Sequence, residues 1–259
     1  MPGEAATLEI YDGIATVTMN RPERMNCLDF ETCDAVLKAI KTAVANADTK
    51  VIILRGSGRA FCAGGDVKGM CDAKEPERFL MDIASRIHRI VMEVQSSPKL
   101  VIAAVNGVAT GAGMDLALMC DIRYAAQSAR FAETYIKVGL VPGAGGAHFL
   151  PRLVGVSKAL ELFFTGDFVD ATEALRIGIV NKVFPDATLM EEVEKIARRM
   201  CQAPGLTLRM TKRAIYQGMR NDLRTNLDLI SSHYAVITST EAHKTLVRSF
   251  IAARDKKRS

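Results

Sequence analysis

The pattern of apolar and polar residues near the start of the chain predicts two kinds of element. Short β-prone runs at Thr7–Ile10 and Ile14–Met19 flank the turn sequence YDG and predict a hairpin. The four apolar residues Val51–Leu54 are typical of a buried strand. Between them, segment 30–49 predicts an amphipathic helix, because its apolar residues recur at helical spacing: Val36, Leu37, Ile40 and Val44.

The alternation of strands and helices continues through the middle of the chain. A helix is predicted at Glu77–Val94, and a strand at Leu100–Val105 follows the turn at Pro98. A glycine-containing loop and another helical run come next. Because strands that alternate with helices usually pair in parallel, we predict an α/β core built on a largely parallel sheet.

The last quarter of the chain has a different pattern. Strand signals fade after about Asp186, and residues 190–253 have helical periodicity with a break near Ala203–Gly205. We therefore predict a core over residues 1–189 and a helical C-terminal region over residues 190–259, packed on the core or on a neighbouring subunit. The basic end of this region, RDKKRS, is expected to be a solvated tail.

Composition is that of a globular protein with a large core. The chain has 259 residues, of which 49% are hydrophobic and 24% are charged, and its formal net charge is +5. No apolar run reaches the roughly 18 residues of a membrane span, and the N-terminus lacks the pattern of a signal peptide. We therefore expect a cytoplasmic protein, or one from an organelle matrix if a transit peptide has been removed.

Several kinds of site are absent from the sequence. It has no P-loop, G-x-G-x-x-G, G-x-S-x-G or H-E-x-x-H motif, and no basic patch with interleaved aromatic residues. The four histidines are isolated and are expected to be structural or exposed: His88, His148, His233 and His243. No C-x-x-C pair occurs among the cysteines, which predicts reduced thiols and no metal site: Cys27, Cys33, Cys62, Cys71, Cys120 and Cys201. Because the sequence has no basic patch with interleaved aromatic residues, nucleic acid is not an expected partner.

Two similar glycine-rich loops carry the candidate chemistry. RAFCAGGDVKGM follows the strand at Val51–Leu54, and VNGVATGAGMDL follows the strand at Leu100–Val105. Each loop places small residues between a strand and a predicted helix, where backbone N–H groups have no helical partner. Two such loops that converge can hold a developing oxyanion, although close packing of a helix on a strand also requires small residues.

These loops are part of a longer set of motifs that resembles the crotonase family, the enoyl-CoA hydratase/isomerase superfamily. The other motifs are NRPERMNCLD, DIRYAA, VGLVPGAGGAHFLPRLVG and LFFTGDFVDATEALRIGIVNKV, so that the resemblance runs nearly from end to end. It implies a spiral of ββα units with a helical C-terminal trimerisation region, and hence a homotrimer or a hexamer. It also implies an acyl-CoA thioester substrate, with CoA as part of the substrate and no separate cofactor.

The resemblance also implies residues that contact CoA. The backbone around Cys27 and Leu28, together with Ala63, is expected to meet the adenine and pantetheine groups. Arg254 resembles a position that faces a CoA phosphate, and the lysine usual beside it is Ala253 here.

The catalytic groups that the resemblance implies depart from the family's usual set. The oxyanion donors would be the backbone N–H groups of Gly65 and Ala112. Asp115 stands where the well-known hydratases carry their first catalytic glutamate, and Tyr135 stands where they carry the second. One group is thus a methylene shorter, and the other is a phenol that donates a hydrogen bond at neutral pH, because its ordinary pKa is about 10.

Two neighbouring features bear on these positions. Glu133 is a second candidate for the missing glutamate, since it would point the same way as Tyr135 on a strand, but away from it on a helix. Asp115 and the run DIRY also resemble the dienoyl-CoA isomerases, which carry further carboxylates where this chain has Tyr135 and Gly143.

We therefore expect an enzyme that stabilises the thioester enolate of an acyl-CoA in an oxyanion hole, with non-standard acid and base residues. Efficient hydration of simple straight-chain 2-enoyl-CoA is not expected. One alternative is an enoyl- or dienoyl-CoA isomerase that uses Asp115 alone. Another is a hydrolase, lyase or hydratase that acts on a cyclic or branched acyl-CoA through Asp115 and Tyr135. The last is a non-catalytic acyl-CoA-binding or RNA-binding member of the family.

Overall fold

The computed structural model describes residues 4–255. These residues form ten strands: β1 Ala6–Tyr11, β2 Ile14–Met19, β3 Val51–Gly56, β4 Ala60–Cys62, β5 Leu100–Val105, β6 Val108–Thr110, β7 Ile122–Ala126, β8 Arg130–Ala132, β9 Val169–Asp170 and β10 Lys182–Phe184. They also form eleven α-helices: α1 Phe30–Ala45, α2 Val67–Asp72, α3 Pro76–Ser96, α4 Ala112–Leu118, α5 Gly146–Val154, α6 Val156–Thr165, α7 Ala171–Arg176, α8 Leu189–Cys201, α9 Gly205–Gly218, α10 Leu223–Thr238 and α11 Glu241–Asp255. Short 3-10 helices span Pro22–Arg24, Thr134–Val138 and Asp186–Thr188.

The elements predicted from periodicity are confirmed. The hairpin is β1–β2, the amphipathic helix of segment 30–49 is α1, and the strand at Leu100–Val105 is β5. Asp29 caps α1, since its carboxylate accepts a hydrogen bond from the Thr32 N–H at 2.8 Å. The cap therefore fixes the start of the helix at Phe30.

The larger sheet has six strands in the order β1-β2-β3-β5-β7-β10. The β1–β2 pair is antiparallel, and the remaining neighbours are parallel. Residues Val51–Leu54 at its centre are fully buried, and burying side chains of this size contributes roughly 1.5–3 kcal/mol each. Helix α1 packs on β1, β2 and α3, whereas α8 packs across β2, β3, β5 and β7. The predicted parallel α/β core is therefore present.

A second sheet of four short strands, in the order β4-β6-β8-β9, holds the loops of interest. Each of three successive units sends a first strand, β3, β5 or β7, into the large sheet. The second strand of each unit, β4, β6 or β8, enters the small sheet, where the three strands pair in parallel. Because parallel strands end at the same edge, the segments that follow β4, β6 and β8 meet there.

The C-terminal helices expose much apolar surface. Helix α8 ends at Cys201 and α9 begins at Gly205, so the predicted break near Ala203–Gly205 is confirmed. In α10 only His233 is buried, and in α11 no residue is buried. The exposed apolar side chains of these two helices include Leu223, Leu227, Tyr234, Leu246, Phe250 and Ile251. Of the basic tail, residues 256–259 lie outside the described part of the chain.

Within residues 4–255, no helix is both long enough and apolar enough to cross a membrane.

Candidate active site

The first glycine loop follows β4 and is held from two sides. Gly64 has φ +98°, and a Cβ there would come within 2.8 Å of the Thr110 carbonyl oxygen, so only glycine fits. The Leu28 N–H donates to the Gly64 carbonyl at 2.8 Å, and the Asp66 N–H donates to the Leu28 carbonyl at 3.2 Å. Gly65 has no atom within 4 Å of the position of a Cβ. The space on the Cβ side of Gly65 is therefore open.

The second glycine loop follows β6 and leads into α4. The Thr110 hydroxyl donates to the Ala63 carbonyl at 2.9 Å and joins the two loops. Gly111 has φ +50°, and its N–H donates to the Ala132 carbonyl at 2.9 Å. Among residues 4–255, neither the Gly65 N–H nor the Ala112 N–H donates to another protein group. The convergence expected of the two loops is thus present, with two free donors.

Both loops line one pocket of about 850 Å³, a volume that includes space open to solvent. Its wall is largely apolar, and much of it comes from α3. Apolar side chains on the wall include Val67, Met70, Phe79, Leu80, Ile83, Ile87, Val138 and Leu140. The pocket is therefore suited to an apolar group lying beside the two N–H donors.

Asp115 lies beneath this pocket and does not line it. All residues of α4 are buried, and Asp115 is 0% exposed. Its Oδ2 accepts hydrogen bonds from the Tyr135 hydroxyl at 2.8 Å and the Ala144 N–H at 3.1 Å. Burial raises the pKa of Asp115 to about 6, and the hydrogen bond from Tyr135, the neighbouring Glu133 and the hydrogen bond from the Ala144 N–H oppose that rise.

Tyr135 lies between Asp115 and the pocket. It belongs to the 3-10 helix Thr134–Val138 and lines the pocket. Its ring packs on the second loop, since a Cβ at Gly111 would lie 3.9 Å from Tyr135 Cε2. Burial and the adjacent Asp115 carboxylate raise the pKa of the phenol far above its ordinary value. Tyr135 therefore joins the pocket wall to Asp115, and its hydroxyl is protonated.

Glu133 ends up beside Asp115 and away from the pocket. It follows β8 directly and precedes the 3-10 helix, so neither of the two simple geometries considered for it applies. It is 1% exposed and does not line the pocket. Burial and the neighbouring Asp115 raise the pKa of Glu133 to about 10.

A third loop, residues 139–146, which ends on the first residue of α5, completes the surroundings of Asp115. No role was assigned to this loop from the sequence. The Ala144 N–H binds the carboxylate, and a Cβ at Gly146 would lie only 2.1 Å from Asp115 Oδ1. His88 on α3 holds the loop through a 2.7 Å hydrogen bond between Nε2 and the Gly143 carbonyl. The glycine run PGAGG was the available signal, but the contact with Asp115 depends on packing across α4 and α5.

The residues expected to contact CoA are divided between two places. Ala63 lines the pocket, and the Leu28 backbone pairs with the first loop. Cys27 is half-buried beside them. Arg254 is on α11 and does not line the pocket of this chain.

Among the residues that the structure describes, no group of three or more His, Cys, Asp or Glu side chains could hold a metal ion.

Comparison with known proteins matches nearly the whole chain. A family model described as enoyl-CoA hydratase/isomerase matches residues 9–257. The chain is 36% identical to a short-chain-enoyl-CoA hydratase from Clostridium acetobutylicum, over 95% of this chain and 94% of that protein. It is 35% identical to 1,2-epoxyphenylacetyl-CoA isomerase from Escherichia coli, with the same coverage of 95% and 94%. The crystal structure of an enoyl-CoA hydratase from Bacillus anthracis has a TM-score of 0.91 at 32% identity and covers 96% of each chain.

Proposed function

The chain belongs to the enoyl-CoA hydratase/isomerase family, and on that premise we propose that it moves a proton to or from the acyl chain of an acyl-CoA through Tyr135 and Asp115. The predicted crotonase-type fold is confirmed by the similarity to solved enoyl-CoA hydratases. The chain is an enzyme of the lyase and isomerase kind. Its reaction and its site residues form the proposal.

The free N–H groups of Gly65 and Ala112 support a role as the oxyanion hole. A thioester carbonyl placed between them gains negative charge when a proton leaves the adjacent carbon. Preorganised donors stabilise this charge in the transition state, and loss of one such donor typically costs ~3–4 kcal/mol.

One observation carries the acid–base part: Asp115 has no exposed surface, and the Tyr135 hydroxyl lies 2.8 Å from its Oδ2 on the pocket side. The phenol oxygen takes a proton from the substrate carbon while its own proton passes to Asp115. The electron pair of the broken C–H bond moves into the enolate. Reversal of the same steps at another carbon returns the proton. This arrangement favours the Tyr135–Asp115 pair over Asp115 acting alone.

The pair suits double-bond isomerisation, because one relay can serve both proton transfers. Hydration needs a further group that takes a proton from water. The other carboxylate on the pocket, Asp66, is held by Arg24 at 3.0 Å and accepts a hydrogen bond from the Gly69 N–H at 3.0 Å. It is thus engaged in structure at the start of α2.

Hydration is the second candidate, because one relative that matches nearly the whole chain is a short-chain-enoyl-CoA hydratase. The two candidates give different products from one assay. The enzyme is incubated in D₂O with trans-3-hexenoyl-CoA and, separately, with crotonyl-CoA, and the products are analysed by mass spectrometry.

We expect migration of the double bond in hexenoyl-CoA, with deuterium at carbon and no gain of water. Tyr135→Phe and Asp115→Asn should each lower kcat by ~10²–10⁴-fold while CoA-ester binding persists. Hydration of crotonyl-CoA by the wild type at ~10² s⁻¹ or faster would instead favour the hydratase. Binding of both thioesters without turnover would identify a non-catalytic member.

We also propose that the chain assembles as a trimer or as a dimer of trimers. The apolar side chains exposed on α10 and α11 support this proposal, since such surface favours burial against another subunit. Arg254 lies on α11, so assembly would decide which CoA it meets.

A further inference from the structure

Two buried carboxyl groups, Asp115 and Glu133, lie beneath the pocket within hydrogen-bond reach of each other; we call them the carboxyl pair. The hydrogen bond from the Gly111 N–H to the Ala132 carbonyl brings the end of β8 against the start of α4. Asp115 Oδ1 and both carboxyl oxygens of Glu133 are fully buried, and none accepts a hydrogen bond from an N–H or hydroxyl group of the described residues. Three buried acceptors therefore lack donors.

A proton shared by the pair removes most of this deficit, because it turns one Glu133 oxygen into a donor and gives Asp115 Oδ1 a partner. Two ionised carboxylates in contact and away from water repel each other, and each also loses its hydration. One proton removes one of the two charges and supplies the missing donor. The pair therefore carries a single negative charge.

The surrounding donors decide which carboxyl keeps the proton. Asp115 Oδ2 accepts hydrogen bonds from Tyr135 and Ala144, and such bonds favour the ionised form. Glu133 has no such donors. Asp115 is therefore the carboxylate, and Glu133 is the acid.

We propose that Glu133 is a neutral carboxylic acid in the folded protein at neutral pH and that its O–H donates to Oδ1 of Asp115. Glu133 is thus a positioning residue, which holds the Asp115 carboxylate beneath Tyr135 and keeps it ionised. The protonation state stands on the burial of both carboxyls and on their lack of donors, whereas its use in catalysis rests on the proposed function.

The groups that face the carboxyl pair are few. Tyr135 is the third titratable group, and the backbone N–H groups of Ala144 and Gly146 face Asp115 from the third loop. Lys137, on the same 3-10 helix as Tyr135, places its ammonium 5.8 Å from the centre of the Phe168 ring. Neither oxygen of Glu133 meets a donor of the described residues, so none of their cations is bound to that carboxyl.

The free energy of unfolding should depend on pH because of this proton. The pKa of Glu133 is raised in the folded state, so its stabilising contribution is complete below the ordinary carboxyl pKa of about 4.3. The contribution declines as the pH rises from there through the folded-state pKa of about 10. Between roughly pH 7 and 9, unfolding of the wild type releases one proton more than unfolding of Glu133→Gln. The unfolding equilibrium constant of the wild type, divided by that of Glu133→Gln, should then rise about tenfold per pH unit.

The direct test is infrared titration of the ligand-free protein in four forms: wild type, Glu133→Gln, Glu133→Leu and Asp115→Asn. At about pH 8, where ordinary carboxyls are ionised, the wild type should show the C=O stretch of one protonated carboxyl. Both Glu133 variants should lose this band. In the wild type, Asp115 should be a second carboxyl that titrates above the ordinary range. This titration should be absent from Asp115→Asn.

The midpoint of Asp115 reports positioning without any need for activity. Glu133→Leu removes the donor, so this midpoint should rise by about one pH unit, and the amide N–H of Glu133→Gln should restore it. The proposal is overturned if the wild type lacks the band, if Glu133→Gln retains it, or if Glu133→Leu leaves the midpoint unchanged. Should Glu133→Leu fail to fold, the band in Glu133→Gln and its urea unfolding between pH 7 and 9 still decide the protonation state. None of these measurements depends on the substrate, so failure of the proposed function would leave them interpretable.

Discussion

At the scale of single residues, the site differs from a two-glutamate hydratase in what it shows to the substrate. Tyr135 lines the pocket, and the carboxylate of Asp115 lies behind it, joined to the Tyr135 hydroxyl by a 2.8 Å hydrogen bond. A phenol with a raised pKa is a poor base by itself, but it can relay a proton to a carboxylate with which it shares a hydrogen bond. The chemistry thus depends on how tightly Asp115 is held.

Gly146 is predicted to be essential for the position of Asp115. A Cβ at Gly146 would lie 2.1 Å from Oδ1 and 2.9 Å from Cγ of Asp115, so Gly146→Ala must displace the carboxylate. A displacement of about 1 Å can cost ~10²-fold in rate. We expect kcat to fall by about that factor for whichever CoA thioester proves to be turned over, with little change in its binding.

Gly205→Ala is the matched control. Its new Cβ meets nothing closer than Lys50 Cγ at 4.0 Å, and it lies at the start of α9, so kcat should stay near the wild-type value. Equal rates for Gly146→Ala and Gly205→Ala would show that the third loop does not constrain Asp115.

At the scale of elements, three parallel strand ends assemble the site. Strands β4, β6 and β8 deliver the first loop, the second loop and Tyr135 to one edge of the small sheet. A Cβ at Gly113 would approach the Cys62 carbonyl oxygen at 2.0 Å, so α4 packs directly on β4. The free Ala112 N–H is therefore held in place by the packing of α4.

Ala112→Pro tests this donor with little change in the helix. Proline is tolerated at the first position of a helix, because its missing N–H has no helical partner there. We expect kcat to fall by ~10²–10³-fold, as for removal of one oxyanion donor. Circular dichroism establishes that the variant is folded, and a folded variant with wild-type turnover would exclude Ala112 as a donor.

At the scale of the whole molecule, α10 and α11 bury almost none of their residues within one chain. Light scattering should give a mass of three or six chains rather than the 28.2 kDa of one chain. The double variant Leu246→Glu with Phe250→Glu should shift this mass toward the monomer, since charges replace two exposed apolar side chains one helical turn apart.

Arg248→Glu is the control for charge. Arg248 lies midway between these two positions in sequence and hence on the opposite side of α11, so its replacement should leave the assembly intact. A wild type that is monomeric at micromolar concentration, or a double variant that stays assembled, would contradict the proposed interface.

Much of the fold could be predicted from the sequence, because strand and helix periodicities are local. The alternation from Ile14 to Val105 determined a parallel α/β core, and the glycine-rich loops marked the strand ends that carry the site. The glycines also reported close approach, as at Gly64 and Gly111, where φ is positive. The positions of Asp115 and Tyr135 near one another followed from the family resemblance and are matched by their 2.8 Å hydrogen bond.

Only the tertiary structure decided which of these groups reaches the pocket. Asp115 and Glu133 are 18 residues apart, and their contact depends on the register of β6 with β8 and on the backbone at the end of β8. Periodicity along one segment carries no information about such a register. Burial then changes the chemistry, because the same carboxyls that would be ionised in water must share a proton when they are packed together without donors.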